Sequence, residues 1–101
     1  EAFLPGRKKS SRWKVEMARV RMYSTRFCPY CIMATRLLTQ KGQEIEKIFV
    51  DNDPDLRERM IEESGGRTTV PQIFINDKHI GGYTDMALLD RNDALDTLLV
   101  D

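Results

Sequence analysis

The chain has 101 residues with 16 basic and 16 acidic side chains, a length that suits one domain rather than two. No apolar run approaches the ~18 residues of a transmembrane helix, and the even charge balance excludes a strongly basic nucleic-acid binder unless the charge is segregated. It is segregated: residues 1–16 hold Arg7, Lys8, Lys9, Arg12 and Lys14 against Glu1 and Glu16, whereas residues 17–101 carry 11 basic and 14 acidic groups.

The first sixteen residues have neither helical nor strand periodicity. With Pro5-Gly6, a basic run and Ser10-Ser11 they read as a disordered leader, vector-derived or upstream sequence, ahead of a natural start at Met17. A basic arm that uses Trp13 to touch nucleic acid or membrane is the alternative reading. No apolar stretch of signal-peptide length is visible there, so an intracellular, cytoplasmic protein is expected.

Patterned sequence follows. Val20, Met22 and Ser24 alternate with Arg19, Arg21 and Tyr23, as in a short strand. Pro29 suits the first turn of a helix, which Met33, Ala34, Leu37 and Leu38 continue to a glycine stop at Gly42. Ile45 to Val50 form a second strand. Asp53-Pro54 then reads as an N-cap and first helical position, for a helix carrying Leu56, Met60 and Ile61 as far as Gly65-Gly66. Ile73-Phe74-Ile75 and His79-Ile80 flank Asn76-Asp77-Lys78 as a hairpin. After Gly81-Gly82, Thr84 can cap a last helix with Met86, Leu88 and Leu89, and Leu95, Leu98, Leu99 and Val100 add a terminal apolar stripe. The order β-α-β-α-β-β-α predicts an α/β fold. Its strand–helix–strand half makes a parallel pair and its hairpin an antiparallel one, giving one four-stranded mixed sheet with helices on both faces.

The two cysteines form Cys28-Pro29-Tyr30-Cys31 at a strand-to-helix junction. With the helix starting at Pro29, Cys28 is the N-cap, where free backbone N–H groups and the positive dipole end favour a negative charge on its sulfur. Arg26 can add a positive charge nearby. Cys31 sits one turn further in, more buried and less polarised. The asymmetry assigns Cys28 to attack on a disulfide and Cys31 to resolution of the mixed disulfide. A zinc site is disfavoured because only His79 remains as a further nitrogen or sulfur ligand. A lone C-x-x-C in this context marks a thioredoxin-like redox motif. By themselves Val70-Pro71 read as a loop entering an edge strand, Thr84-Asp85 as a helix cap, Arg67 as a solvated arginine, and Tyr83 as packing or surface. His79 has no assigned role.

Cys28-Pro29-Tyr30-Cys31, then Thr69-Val70-Pro71, then Gly81-Gly82-Tyr83-Thr84-Asp85, in that order and spacing, resemble a dithiol glutaredoxin. The run Gly66 to Ile75 is similar to bacterial members in particular. The resemblance covers residues 19–100 and implies a thioredoxin fold, no tightly bound cofactor and no metal, and glutathione as co-substrate. It implies that Val70, before a cis-Pro71, pairs its backbone with the cysteinyl part of glutathione. Thr69 and Gly82 would lie beside it. Thr84 would take the γ-glutamyl carboxylate, Asp85 the ammonium group and Arg67 the glycyl carboxylate, with Tyr30 flanking the sulfur. The implied partners are glutathione and disulfide-bonded or glutathionylated proteins, with no nucleic acid or membrane, and the chain is expected to be a monomer. Two positions depart from the pattern: Thr25 stands where many glutaredoxins carry lysine, and Phe27 where a small polar residue is common. A redoxin served by thioredoxin reductase and a glutathione-ligated iron–sulfur carrier are the competing readings.

Overall fold

The computed structural model describes residues 18–99. The readings of a leader over 1–16, a start at Met17, the Trp13 arm and Val100 in the terminal stripe lie outside the described residues. Strand β1 (Val20–Ser24) leads into helix α1 (Pro29–Gln40), and β2 (Ile45–Phe49) into α2 (Pro54–Glu63). The hairpin β3 (Gln72–Ile75) and β4 (Lys78–Gly81) is followed by α3 (Tyr83–Arg91) and the short α4 (Leu95–Leu99). The four strands form one sheet in the order β2-β1-β3-β4. The β1–β2 pair is parallel, and the β1–β3 and β3–β4 pairs are antiparallel.

The strand period sorts side chains between two cores. Val20, Met22, Ile73 and Ile75 meet Ala34 and Leu38 of α1, Met86 of α3, and Leu95 and Leu99 of α4. On the opposite face Tyr23 and Phe74 meet Val50 and Met60, so α2 is the helix that covers that side among the described residues. This changes the reading of β1. Tyr23, grouped by alternation with the arginines, is 1% exposed. Its ring meets Phe74 edge-on at 5.9 Å, and its hydroxyl donates to Glu63 Oε1 at 2.7 Å. A second helix layer makes the polar face of the strand an interior one, and Tyr is accepted there because its hydroxyl finds a partner.

Local chemistry sets the helix ends. Asp53 accepts the Leu56 N–H at 3.1 Å with Pro54 in the first turn, and Gly42, at φ +78, follows the last turn of α1. Three expectations are corrected. The hairpin turn is Asn76-Asp77 alone, both at positive φ, and Lys78 already belongs to β4. A two-residue turn of that kind matches the strand twist. Gly82, not Thr84, is the N-cap of α3, and Thr84 lies inside the first turn. The terminal stripe is a separate helix, because Asp93 at φ +60 breaks the chain after α3 and lets Leu95 and Leu99 turn into the core.

Candidate active site

The register explains why three distant motifs meet. Tyr23 near the end of β1 pairs with Gln72 at the start of β3, so Thr69-Val70-Pro71 faces the loop carrying Cys28. Ile73 pairs with Gly81, which brings Gly82 and the start of α3 beside Pro71. A Cβ added to Gly82 would lie in ordinary contact with the Pro71 carbonyl oxygen, at 3.4 Å. Gly81, at φ +117, has no room for one, since it would meet the Asp85 carboxylate. Glycine at position 81 is therefore what permits the close approach.

Cys28 is the N-cap of α1, in extended conformation, with Pro29 following. Its carbonyl accepts the Ile32 N–H at 3.1 Å, and its sulfur accepts the Cys31 N–H at 3.2 Å. One donor of the first turn, the Cys31 N–H, thus points at Sγ at the positive end of the helix. The Cys28 thiol reaches the Val70 carbonyl at 3.9 Å, and the Val70–Pro71 peptide is cis. Both cysteines are free and buried, with Cys28 at 8% exposure and Cys31 at 4%. Burial, then the hydrogen bond its thiol makes to Cys28, pushes the Cys31 thiol up to about 11. The Cys28 sulfur accepts a backbone N–H, while Cys31 keeps its proton. Arg26 is drawn toward Asp51 at 3.7 Å and is largely exposed.

A groove of about 290 Å³ opens from this point, lined by Tyr30, Arg67, Thr69, Val70, Pro71, Gly82, Tyr83, Thr84 and Asp85. Every sequence-derived binding candidate thus stands around one space, and the Cys28 sulfur lies 3.9 Å from the carbonyl of Val70 in its wall. Sequence reasoning left out Tyr83, whose ring lies 6.3 Å from that of Tyr30. Arg67 and Asp85 do not stand apart: Arg67 Nη2 donates to Asp85 Oδ2 at 3.3 Å. Asp85 also accepts the Gly82 N–H at 2.9 Å, and this bond, then the Arg67 charge, holds its carboxyl below the usual range. The N–H groups at the start of α3 face the groove with the positive end of a nine-residue helix. Behind Arg67, the buried Ser64 hydroxyl accepts the Arg67 N–H and lies within hydrogen-bond distance of its carbonyl, each at 3.2 Å, which sets the turn out of α2.

Two further residues support the groove wall. Gln72 is fully buried and donates through Nε2 to the Thr69 carbonyl at 3.0 Å and the Thr69 hydroxyl at 3.3 Å. Its Oε1 meets His79 Nε2 at 2.8 Å, so that nitrogen carries the proton. Burial, then the Arg67 charge, lowers the His79 pKa, with Asp85 opposing. His79, left without a role by the sequence, therefore anchors the amide that holds the Thr69 loop. The available signal was a polar residue within the apolar run Val70 to Ile75.

Comparison with known proteins agrees with this architecture. The glutaredoxin family model matches residues 20–80. Glutaredoxin 3 of Escherichia coli K12 is 48% identical over 83 residues, which span 82% of this chain and 99% of that protein. The solution structure of the Brucella melitensis glutaredoxin superposes with a TM-score of 0.72 at 44% identity, covering 83% of this chain and 90% of that one. A crystal structure of a buckwheat glutaredoxin–glutathione complex gives 0.73 at 28% identity, covering 84% and 79%. A four-stranded mixed sheet of this order, with a C-x-x-C at the start of its first helix, and relatives of this similarity over nearly their whole length, establish that the chain belongs to the glutaredoxin family of thiol–disulfide oxidoreductases.

Proposed function

We propose that the protein reduces protein–glutathione mixed disulfides and protein disulfides at the expense of glutathione, with Cys28 as nucleophile and the Tyr30–Asp85 groove as the glutathione site. The observation that carries the reading is that one wall residue of that groove, Val70, brings its carbonyl within 3.9 Å of the Cys28 sulfur. The buckwheat relative whose structure is a glutathione complex supports the choice of ligand.

Glutathione has two carboxylates and one ammonium group on an extended backbone. The groove offers matching features: a cation and an anion in Arg67 and Asp85, and free N–H groups at the start of α3 near Thr84. In the mixed-disulfide reaction the Cys28 thiolate attacks the glutathione sulfur. A Cys28–glutathione bond forms, the bond to the substrate protein breaks, and the electron pair leaves with the protein thiolate, which takes a proton. A second glutathione thiolate then attacks the glutathionyl sulfur, which frees Cys28 and releases oxidised glutathione. With a protein disulfide, Cys28 attacks one sulfur and the other leaves as a thiol. Cys31 gives up its proton as it attacks the Cys28 sulfur, and the second protein thiol leaves. The raised Cys31 pKa keeps it a thiol until then. Two glutathione thiols in turn reopen the Cys28–Cys31 disulfide and depart as oxidised glutathione. No tightly bound cofactor enters these steps. The reaction needs a glutathione pool, which suits a reducing compartment such as the cytoplasm, and one chain supplies the whole site, which suits a monomer.

The test is turnover of a small glutathione mixed disulfide, coupled through glutathione reductase to NADPH oxidation, with thioredoxin reductase as the exchanged electron source. Turnover with the glutathione system, loss in Cys28→Ser and retention in Cys31→Ser are expected. Turnover with thioredoxin reductase alone, or retention in Cys28→Ser with loss in Cys31→Ser, refutes the reading.

A further inference from the structure

The cysteine pair borders a second groove, on the flank away from Tyr30–Asp85, with a volume of about 500 Å³. It exists because β2 is an edge strand. Lys47 and Phe49 pair in register with Met22 and Ser24 and share their face of the sheet. Helix α1 packs over the central strands and leaves the end of β2 uncovered, so Phe49 is 43% exposed and Ile32, across on α1, 57% exposed. Phe27, beside Cys28 in the loop that supplies Thr25 and Arg26 to the wall, is 94% exposed. Among the described residues these three apolar side chains around a reactive sulfur are left exposed.

The charges of this groove are one-sided. Its ionisable lining among the described residues, apart from the cysteines, is Arg26, Arg36 and Lys47, with no carboxylate, although residues 17–101 are acidic overall. Arg26 shares its charge with Asp51 at 3.7 Å, so Arg36 and Lys47 supply most of the positive field. A mixed disulfide has two arms at the sulfur. With the glutathione arm in the groove toward Asp85, the protein arm has this flank open to it.

We propose that the groove between α1 and β2 docks the protein arm of the substrate, an acidic segment with an apolar side chain next to its cysteine, on Arg36 and Lys47 around Ile32 and Phe49. The proposal rests on the glutathione reading above. It makes the departures at Thr25 and Phe27 features of protein recognition rather than of glutathione binding. Complementary charge of this kind acts mainly on encounter and is screened by salt.

The experiment compares three glutathionylated substrates under glutathione coupling. They are a cysteine peptide with flanking Asp, Glu and Leu, the same peptide with Lys in place of its acids, and the small 2-mercaptoethanol mixed disulfide. The native chain is expected to favour the acidic peptide by about tenfold in kcat/KM at low ionic strength, with the advantage shrinking as salt rises. Arg36→Glu with Lys47→Glu should invert the preference and leave the small substrate unchanged, and Arg36→Lys with Lys47→Arg should restore it. Equal rates on the two peptides, or an equal fall on all three substrates in the charge-reversed protein, overturns the proposal. Failure of the glutathione reading looks different: the native chain does not turn over the small mixed disulfide. In that event amide chemical shifts with a thioether analogue of the acidic peptide decide the matter. Shifts at Ile32, Arg36, Lys47 and Phe49 uphold the docking site. Shifts confined to the Tyr30–Asp85 groove, no shifts, or shifts that follow only the protein's own concentration overturn it.

Discussion

Replacing Gln72 by methionine removes the donors and acceptor of a side chain that is 0% exposed while keeping its volume. Three interactions vanish: the two from Nε2 to Thr69 and the one between Oε1 and His79. Thr69 is exposed and its hydroxyl turns to water, so the loss falls on the Thr69 carbonyl and the half-buried His79 ring. Leaving buried groups without partners costs ~1–3 kcal/mol each, against ~1 kcal/mol net for an ordinary hydrogen bond. A destabilisation of about 2 kcal/mol is expected, which lowers Tm by about 8–16 °C in a domain of this size. The functional consequence is local. Thr69 and Val70 form one wall of the groove, so KM for the small glutathione mixed disulfide should rise several-fold. The rate of Cys28 alkylation by iodoacetamide should not change, since the N-terminal turn of α1 is untouched. Urea unfolding with an unchanged slope, together with the KM measurement, tests both halves. A stability loss below about 0.5 kcal/mol, the range of a neutral surface change, or a fall in kcat at constant KM would refute the role given to Gln72.

Leu38→Ala, at a fully buried position of α1, should cost ~2–5 kcal/mol in denaturant unfolding. Gly81→Ala places a Cβ against the Asp85 carboxylate, so KM should rise and stability fall together, whereas Gly42→Ala has open space and should change stability alone. Asp85 titrates below the ordinary carboxylate value. Its contribution is present above the unfolded value of ~3.9 and disappears as pH falls through the folded one. Accordingly Asp85→Asn should be less stable than the native chain at pH 7, and the difference should close in acid. Cys31 shifts the other way, up to about 11. Reduced protein should therefore lose stability relative to Cys31→Ser as pH rises from the unfolded thiol value of ~8.5 through the folded one. Mass spectrometry after brief alkylation at pH 7 should find the adduct on Cys28.

Several of these residues were legible in advance. Pro29 and Pro54 mark helix starts on any reading, and both lie in the first turns of α1 and α2. The alternation of β1 located the strand but misassigned Tyr23, because periodicity reports one covered face and α2 covers the other. Thr84 looked like a cap because its hydroxyl suits one. The chain instead enters the helix two residues earlier, at Gly82, and Asp85 closes back on that N–H. His79 carried no local signal at all, since its partner Gln72 lies across the hairpin.

The sequence by itself determined the elements, their order and the chemistry of the sulfur pair. Those depend on near neighbours: a proline after a cysteine, the spacing C-x-x-C, the periods of apolar residues. The motifs from Thr69 to Pro71 and Gly81 to Asp85 were visible as strings, and a family likeness joined them to a glutathione site. What only the tertiary structure decided is how they stand to one another. Strand register placed the first beside Cys28 and the second beside the first, paired Arg67 with Asp85, and set Gln72 between Thr69 and His79. It also left β2 as an edge, with cations and apolar side chains open beside the cysteines. Local composition sets a residue's chemistry, whereas its pKa, its partner and its exposure come from packing against groups distant in the chain.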